Sequence, residues 1–155
     1  MSDLLLYRQQ LIKTDLRTAW EFFSSPKNLQ KITPPDLGFN ILSDLKGRSM
    51  HEGQIIDYTV KPLFGIPVRW RTEIKQVNEL SSFKDVQKRG PYSKWEHTHV
   101  FEEVENGVLV KDYVKFRLPF GVLGRMAHSV FVKARLAHIF DYRERILEAV
   151  FNKSN

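Results

Sequence analysis

Apolar residues recur along this chain with two different periods, and the change of period divides it into regions. Leu4 to Thr14 alternates loosely, which predicts a first strand with Tyr7, Gln9 and Leu11 on one side. At Asp15 the period lengthens. Asp15 can accept from the free amides of a helix start, and Leu16, Ala19, Trp20, Phe22 and Phe23 make an amphipathic stripe that stops at Ser24-Ser25-Pro26. A second short helix or turn is expected over Lys27 to Ile32. Thr33-Pro34-Pro35-Asp36 ends it, because proline removes a donor and restricts its predecessor. From Phe39 the period is two. Strands are predicted from Phe39 to Leu45, from Gly53 to Pro62 and from Val68 to Val77, then from Phe83 to Lys88. In the second of these Ile56, Tyr58 and Val60 share a face; in the third Trp70, Thr72, Ile74 and Gln76 do; in the fourth Phe83, Asp85 and Gln87 do.

The next stretch reads as a long β-hairpin turning at Asn106-Gly107, the preferred pair for a type I′ turn. That turn sets Phe101 opposite Asp112, His99 opposite Val114 and His97 opposite Phe116. Alternation then gives two faces. One holds Trp95, His97, His99, Phe101 and Glu103, with Val110, Asp112, Val114, Phe116 and Leu118 from the second strand. The other holds Glu96, Thr98, Glu102, Lys111, Tyr113, Lys115 and Arg117, with Glu96 opposite Arg117 and Glu102 opposite Lys111. Opposite charges across a ladder suit water, so the first face is the inner one. After Pro119-Phe120-Gly121 the pattern becomes helical from Val122 to Phe151. Val122, Met126, Val130, Phe131, Ala134, Ala137, Phe140 and Leu147 form a broad apolar band, and Arg125, Lys133, Arg143 and Arg145 fall elsewhere around the helix.

Composition narrows the picture further. A chain of 155 residues with no repeats or linkers is expected to be one domain, 1–155. With no cysteine there is neither a disulfide framework nor thiolate chemistry. No apolar run approaches the roughly 18–20 residues of a membrane span, and the N-terminus lacks a basic, cleavable leader pattern, so no membrane insertion and a cytoplasmic location are expected. The net charge is +6, from 24 Lys and Arg against 18 Asp and Glu. These residues are scattered and interleaved with acids, and the aromatics read as inward, so nucleic acid is not expected as a partner.

Two segments resemble a known family. Asp15-Leu16-Arg17-Thr18-Ala19-Trp20-Glu21-Phe22-Phe23-Ser24-Ser25-Pro26 resembles the first helix of the START-like, or Bet v 1-like, SRPBCC superfamily. The run Gly90-Pro91-Tyr92 with Trp95, His97, His99 and Phe101 resembles its ligand-binding or cyclase/dehydrase-like subgroup. The resemblance extends over essentially the whole chain. It implies an α+β helix-grip fold: a curved seven-stranded antiparallel sheet wrapped around a long C-terminal helix, with two short helices after the first strand. It also implies a cavity for an apolar small molecule, such as a lipid, isoprenoid or polyketide-like aromatic. No catalytic set is shared across that superfamily, so the fold alone assigns no reaction.

The expected binding face comprises Tyr58, Trp70, Asp85, Gln87 and Trp95, then His97, His99, Phe101, Asp112 and Phe116. Its polar members admit three readings. They can be buried groups satisfied by one another and by His138 or Arg135 of the C-terminal helix. They can orient the polar end of an apolar ligand. Or His97 or His99 can act as general base with Asp112 as orienter, as in a cyclase- or dehydratase-like enzyme. The His-x-His pair lacks a third histidine at metal-ligand spacing, so neither metal nor cofactor is expected. Phe64-Gly65-Ile66-Pro67 is a candidate mouth loop, its Gly and Pro setting an exposed apolar tip. The oligomeric state is not readable from these residues.

Overall fold

The computed structural model describes residues 2–62 and 64–153. Seven antiparallel strands form one sheet in the order β1-β7-β6-β5-β4-β3-β2. They are β1 (Leu4–Ile12), β2 (Asn40–Ile41), β3 (Ile55–Val60), β4 (Val68–Asn78), β5 (Ser82–Arg89), β6 (Lys94–Val104) and β7 (Gly107–Arg117). Two short helices, α1 (Leu16–Phe23) and α2 (Pro26–Lys31), follow β1. Asp15 caps α1 as its sequence predicts, accepting from the Thr18 amide at 2.9 Å and the Thr18 hydroxyl at 2.7 Å. A long C-terminal helix lies across the inner face. Its parts are α3 (Gly121–Ala127), a π-helical turn at His128–Val132, α4 (Lys133–Leu147) and a final π turn at Glu148–Asn152. The architecture is the α+β arrangement that the family resemblance implies.

The hairpin keeps its predicted faces but not its register. Glu105 and Asn106 form the turn, and Val104 pairs with Gly107. Neither turn residue has positive φ; Gly107 does, at 147°. A Cβ there would stand 2.1 Å from the Ile12 carbonyl oxygen, so glycine is required by β1 as well as by the turn. Every pair is therefore shifted by two residues from the type I′ expectation. His99 faces Asp112, His97 faces Val114 and Trp95 faces Phe116. A shift of two preserves parity, so the inner face survives. On the outer face Glu96 lies opposite Lys115, and Lys111 reaches Glu102 diagonally. Arg117 instead lies opposite Lys94, and both bond Asp3 of the N-terminal segment. Glu103, near the turn, is exposed rather than inward.

Three other expectations change. The strand expected over Phe39 to Leu45 pairs only at Asn40 and Ile41. Gln76 leaves the inner face: its φ is +51° at an irregularity of β4, its amide bonds Glu52 at 2.8 Å, and Val77 packs against the core in its place. The helix band is displaced. Val122, Met126, Val130 and Phe131 are exposed and Val132, Leu136 and Arg143 are buried instead, whereas Phe140 and Leu147 are buried as expected. The π turn is the cause, since its extra residue breaks the phase between the two α-helical parts. The core packs in separate groups, each touching this helix: Trp20, Phe83 and Phe101 in one, Val114, Phe116, Leu136 and Phe140 in another, and Leu37, Val60 and Trp70 in a third.

Candidate functional site

Between the sheet and the C-terminal helix lies a cavity of about 410 Å³. Its wall is largely aromatic and aliphatic. Trp70 stands between Tyr58, stacked at 5.8 Å, and Trp95, edge-on at 5.4 Å. The helix contributes Leu136, Ile139 and Phe140. Polar atoms are few and concentrated. Tyr58 and Thr72 hydroxyls face one another at 3.4 Å, and burial pushes the Tyr58 phenol far above its ordinary range. Gln54 Oε1 and Trp70 Nε1 are buried with no hydrogen-bond partner among the described residues.

The strongest polar feature joins β5, β6, β7 and the helix. His97 Nε2–H donates to Asp112 Oδ1 at 2.8 Å, and His99 Nε2–H donates to Asp85 Oδ2 at 2.7 Å. Each remaining imidazole nitrogen faces the other carboxylate: His97 Nδ1 is 3.7 Å from Asp85 and His99 Nδ1 is 3.5 Å from Asp112. The rings stack on each other at 3.8 Å, and His99 stacks on Phe83 at 4.2 Å. Two imidazoles are thus clamped between two carboxylates, because residues two apart on β6 project to one side while β5 and β7 each offer an aspartate in register.

Arg143 completes the cluster. It is buried, its Nη2 lies 3.0 Å from Asp112 Oδ1, and its guanidinium sits over the rings of Phe23 and Phe140 at 5.2 and 5.7 Å. Burial alone would push Asp112 up; Arg143 and the neighbouring histidines outweigh it and hold this carboxyl well below the usual range. Asp85 is lowered in the same way, burial opposing and His97 and His99 prevailing. For His99 burial wins, reinforced by His97, and its imidazole is pushed down to about 4, so it is neutral at pH 7. The apolar band expected from the sequence leaves Arg143 on another side of the helix. Its signal was present, however: it occupies the inward spacing of Leu136, Phe140 and Leu147. The helix residues expected as partners do something else. Arg135 bonds the Pro62 carbonyl and Asp36, and His138 bonds Asp36.

The ten expected site residues divide. Tyr58, Trp70, Asp85, Trp95, His97 and His99 line the cavity. Asp112 stands behind the histidines. Phe101 packs with Trp20 and Phe23 in the core, and Phe116 packs beside Val114 and Leu136. Gln87 holds the Gly90–Tyr92 turn, donating to the Tyr92 carbonyl at 2.7 Å and accepting from its amide at 3.1 Å. Arg143, Gln54, Thr72 and Tyr92 are cavity-lining polar residues that the sequence reading passed over.

Asp85, His97 and His99 bring three potential metal-ligand atoms within 4.8 Å of one another. In this structure those atoms engage one another, His99 Nε2 and His97 Nδ1 both lying on the Asp85 side at 2.7 and 3.7 Å from Oδ2. The arrangement is a hydrogen-bonded ladder of carboxylates and imidazoles.

No family model matches the sequence, and a comparison with curated proteins finds no relative. Solved structures do match. Ginseng major latex-like protein 151 from Panax ginseng is 16% identical, with a TM-score of 0.70, over 99% of this chain and 100% of that one. A START superfamily protein from Mycobacterium smegmatis is 14% identical, with a TM-score of 0.69, over 94% of this chain and 98% of that one. The chain has the helix-grip fold that these two structures share: a seven-stranded antiparallel sheet around a long C-terminal helix. A protein from Chromobacterium violaceum adds a match at 10% identity and a TM-score of 0.70, over 97% of this chain and 99% of that one. At these identities the helix-grip likeness concerns fold alone. Among the described residues no helix is long and apolar enough to cross a membrane.

Proposed function

We propose that this single-domain protein binds one apolar small molecule, such as a lipid, isoprenoid or polyketide-like aromatic, in the cavity between sheet and helix, and that it works in the cytoplasm. The observation that carries the reading is the wall. A space of about 410 Å³ falls within the roughly 300–1,000 Å³ of small-molecule sites, and its polar groups are gathered rather than spread. Trp70 Nε1–H offers a donor and Gln54 Oε1 an acceptor, while Asp85 and the histidines make one side strongly polar. A hydroxyl or carbonyl of an otherwise apolar ligand would be oriented by these groups, whose bonds gain strength in a low dielectric.

Binding is favoured over cyclase- or dehydratase-like catalysis by the hydrogen bonding of the imidazoles. Both Nε2–H groups donate to carboxylates and both Nδ1 atoms lie 3.5–3.7 Å from carboxylates, so both imidazoles are engaged by the ladder, which favours a fixed polar wall over a mobile proton-transfer group. The test is native mass spectrometry of the protein purified from its own host, followed by titration with the neutral fluorophore N-phenylnaphthylamine. One bound molecule per chain is expected. Ile56→Trp, which fills the cavity from β3, should abolish probe binding while keeping the far-ultraviolet spectrum. Probe binding undiminished in that variant would overturn the reading.

A further inference from the structure

The outward side of the first turns of the C-terminal helix is apolar. Phe120 is 81% exposed and Leu123 70%, with Met126 and Val130 similarly open. Beside them the β3–β4 loop presents Phe64, 78% exposed, and Ile66. An edge-on contact of Phe64 with Phe131, ring centroids 5.8 Å apart, joins loop and helix into one face. This face adjoins the cavity, since Pro62, Phe120, Gly124 and Ala127 line the cavity's wall at this end. Exposed apolar side chains scattered singly need no explanation, but a contiguous group of this size does.

Charge indicates what covers it. The sequence from Tyr113 to Phe140 contains no Asp or Glu, yet carries Lys115, Arg117, Arg125, Lys133 and Arg135. The sequence from Tyr58 to Thr72 likewise has no acid and carries Lys61, Arg69 and Arg71. Some of these are neutralised by acids elsewhere: Lys115 and Arg117 by Asp3, Arg71 by Asp57, and Arg135 by Asp36. Lys61, Arg69, Arg125 and Lys133 are exposed and, among the described residues, form no ion pair. An apolar tip whose two contributing segments carry unpaired cations and no acid of their own complements an anionic lipid surface: apolar side chains enter the headgroup boundary while Lys and Arg meet phosphates.

We propose that this face docks the protein on anionic membranes, holding the adjacent end of the cavity against the bilayer. Docking is peripheral, and it requires no bound ligand. The test uses the full chain and sedimentation with vesicles of phosphatidylcholine, alone or mixed with phosphatidylglycerol. Association with the anionic vesicles is expected, weakening as salt rises. Leu123→Ser/Met126→Ser should weaken it at least about tenfold, and Arg125→Gln or Lys133→Gln about fivefold each. Leu5→Ser, at an equally exposed leucine on β1 (77%), should change nothing. All these side chains are exposed, and an unchanged thermal midpoint checks the fold of each variant. Because Ile56→Trp fills the cavity without touching this face, it should bind vesicles like the parent, which separates this proposal from the ligand reading. No association with anionic vesicles, or association indifferent to Leu123→Ser/Met126→Ser, overturns the proposal. So does a dimer in sedimentation equilibrium that the double variant dissolves without any vesicle binding, which would assign the face to a second copy of the chain.

Discussion

Removing the charge of Arg143 should cost this protein a large part of its stability, and removing the charge of Asp112 as well should restore much of it. The two side chains are buried and lie 3.0 Å apart. Arg143→Met leaves Asp112 buried with histidine neighbours only. Asp112→Asn leaves the guanidinium without a counter-charge, while the amide oxygen still accepts from His97. Breaking a buried pair by removing one partner costs about 3–5 kcal/mol, because the surviving charge stays desolvated. In a chain of this size that corresponds to a thermal midpoint lowered by roughly 6–20 °C. The double variant strands neither charge and keeps the His97 hydrogen bond. It should therefore be more stable than either single variant. Urea unfolding of all four proteins, followed by tryptophan fluorescence, measures the cycle. A double variant whose loss equals the sum of the single losses would refute the ion pair as drawn.

Two further outcomes follow from the same geometry. Because His99 is held down at about 4 in the fold against roughly 6.5 when unfolded, the unfolded chain takes up that proton first. Its contribution is thus complete above pH 6.5 and lost as pH falls towards 4, on the order of 3 kcal/mol at the limit. The depressed aspartates act only below about 3.9, so thermal midpoints between pH 7 and 4.5 should fall in the parent and fall less in His99→Gln; parallel slopes would contradict this assignment. At the hairpin, Gly107→Ala should destabilise by about 1–3 kcal/mol, whereas Asn106→Ala should change little. A type I′ turn would make Asn106 sensitive as well, so urea midpoints distinguish the two turns.

The fold was legible where the physics is local and periodic. Strand faces depend on parity alone, which is why His97, His99 and Asp112 were assigned inward although their partners were displaced by two residues. The register itself turned on whether positive φ falls on Asn106 or only on Gly107, and the Asn-Gly pair does not reveal that β1 presses on Gly107. Helix phase was lost at His128–Val132, where nothing in the composition announces a π turn. Arg143 is hidden for a different reason: its charge argues for the surface while its spacing argues for the core, and only the buried Asp112 beside it admits a buried cation.

The placement of Arg143 has a consequence for how the chain assembles. Strands β2 to β7 form an uninterrupted meander in which each pairs with its sequence neighbour. Such contacts close short loops and need little search. Asp85, His97, His99 and Asp112 all belong to that meander, so the carboxylate–imidazole ladder can form from local pairings. Arg143 comes from the final helix, and β1 joins β7 from about 100 residues away, a longer closure. Until the helix docks, Asp112 lacks the guanidinium that makes its burial tolerable. Docking of the helix and drying of the ladder are therefore expected to be one event, with rapid-mixing kinetics of Arg143→Met showing faster unfolding and nearly unchanged folding if that event follows the transition state.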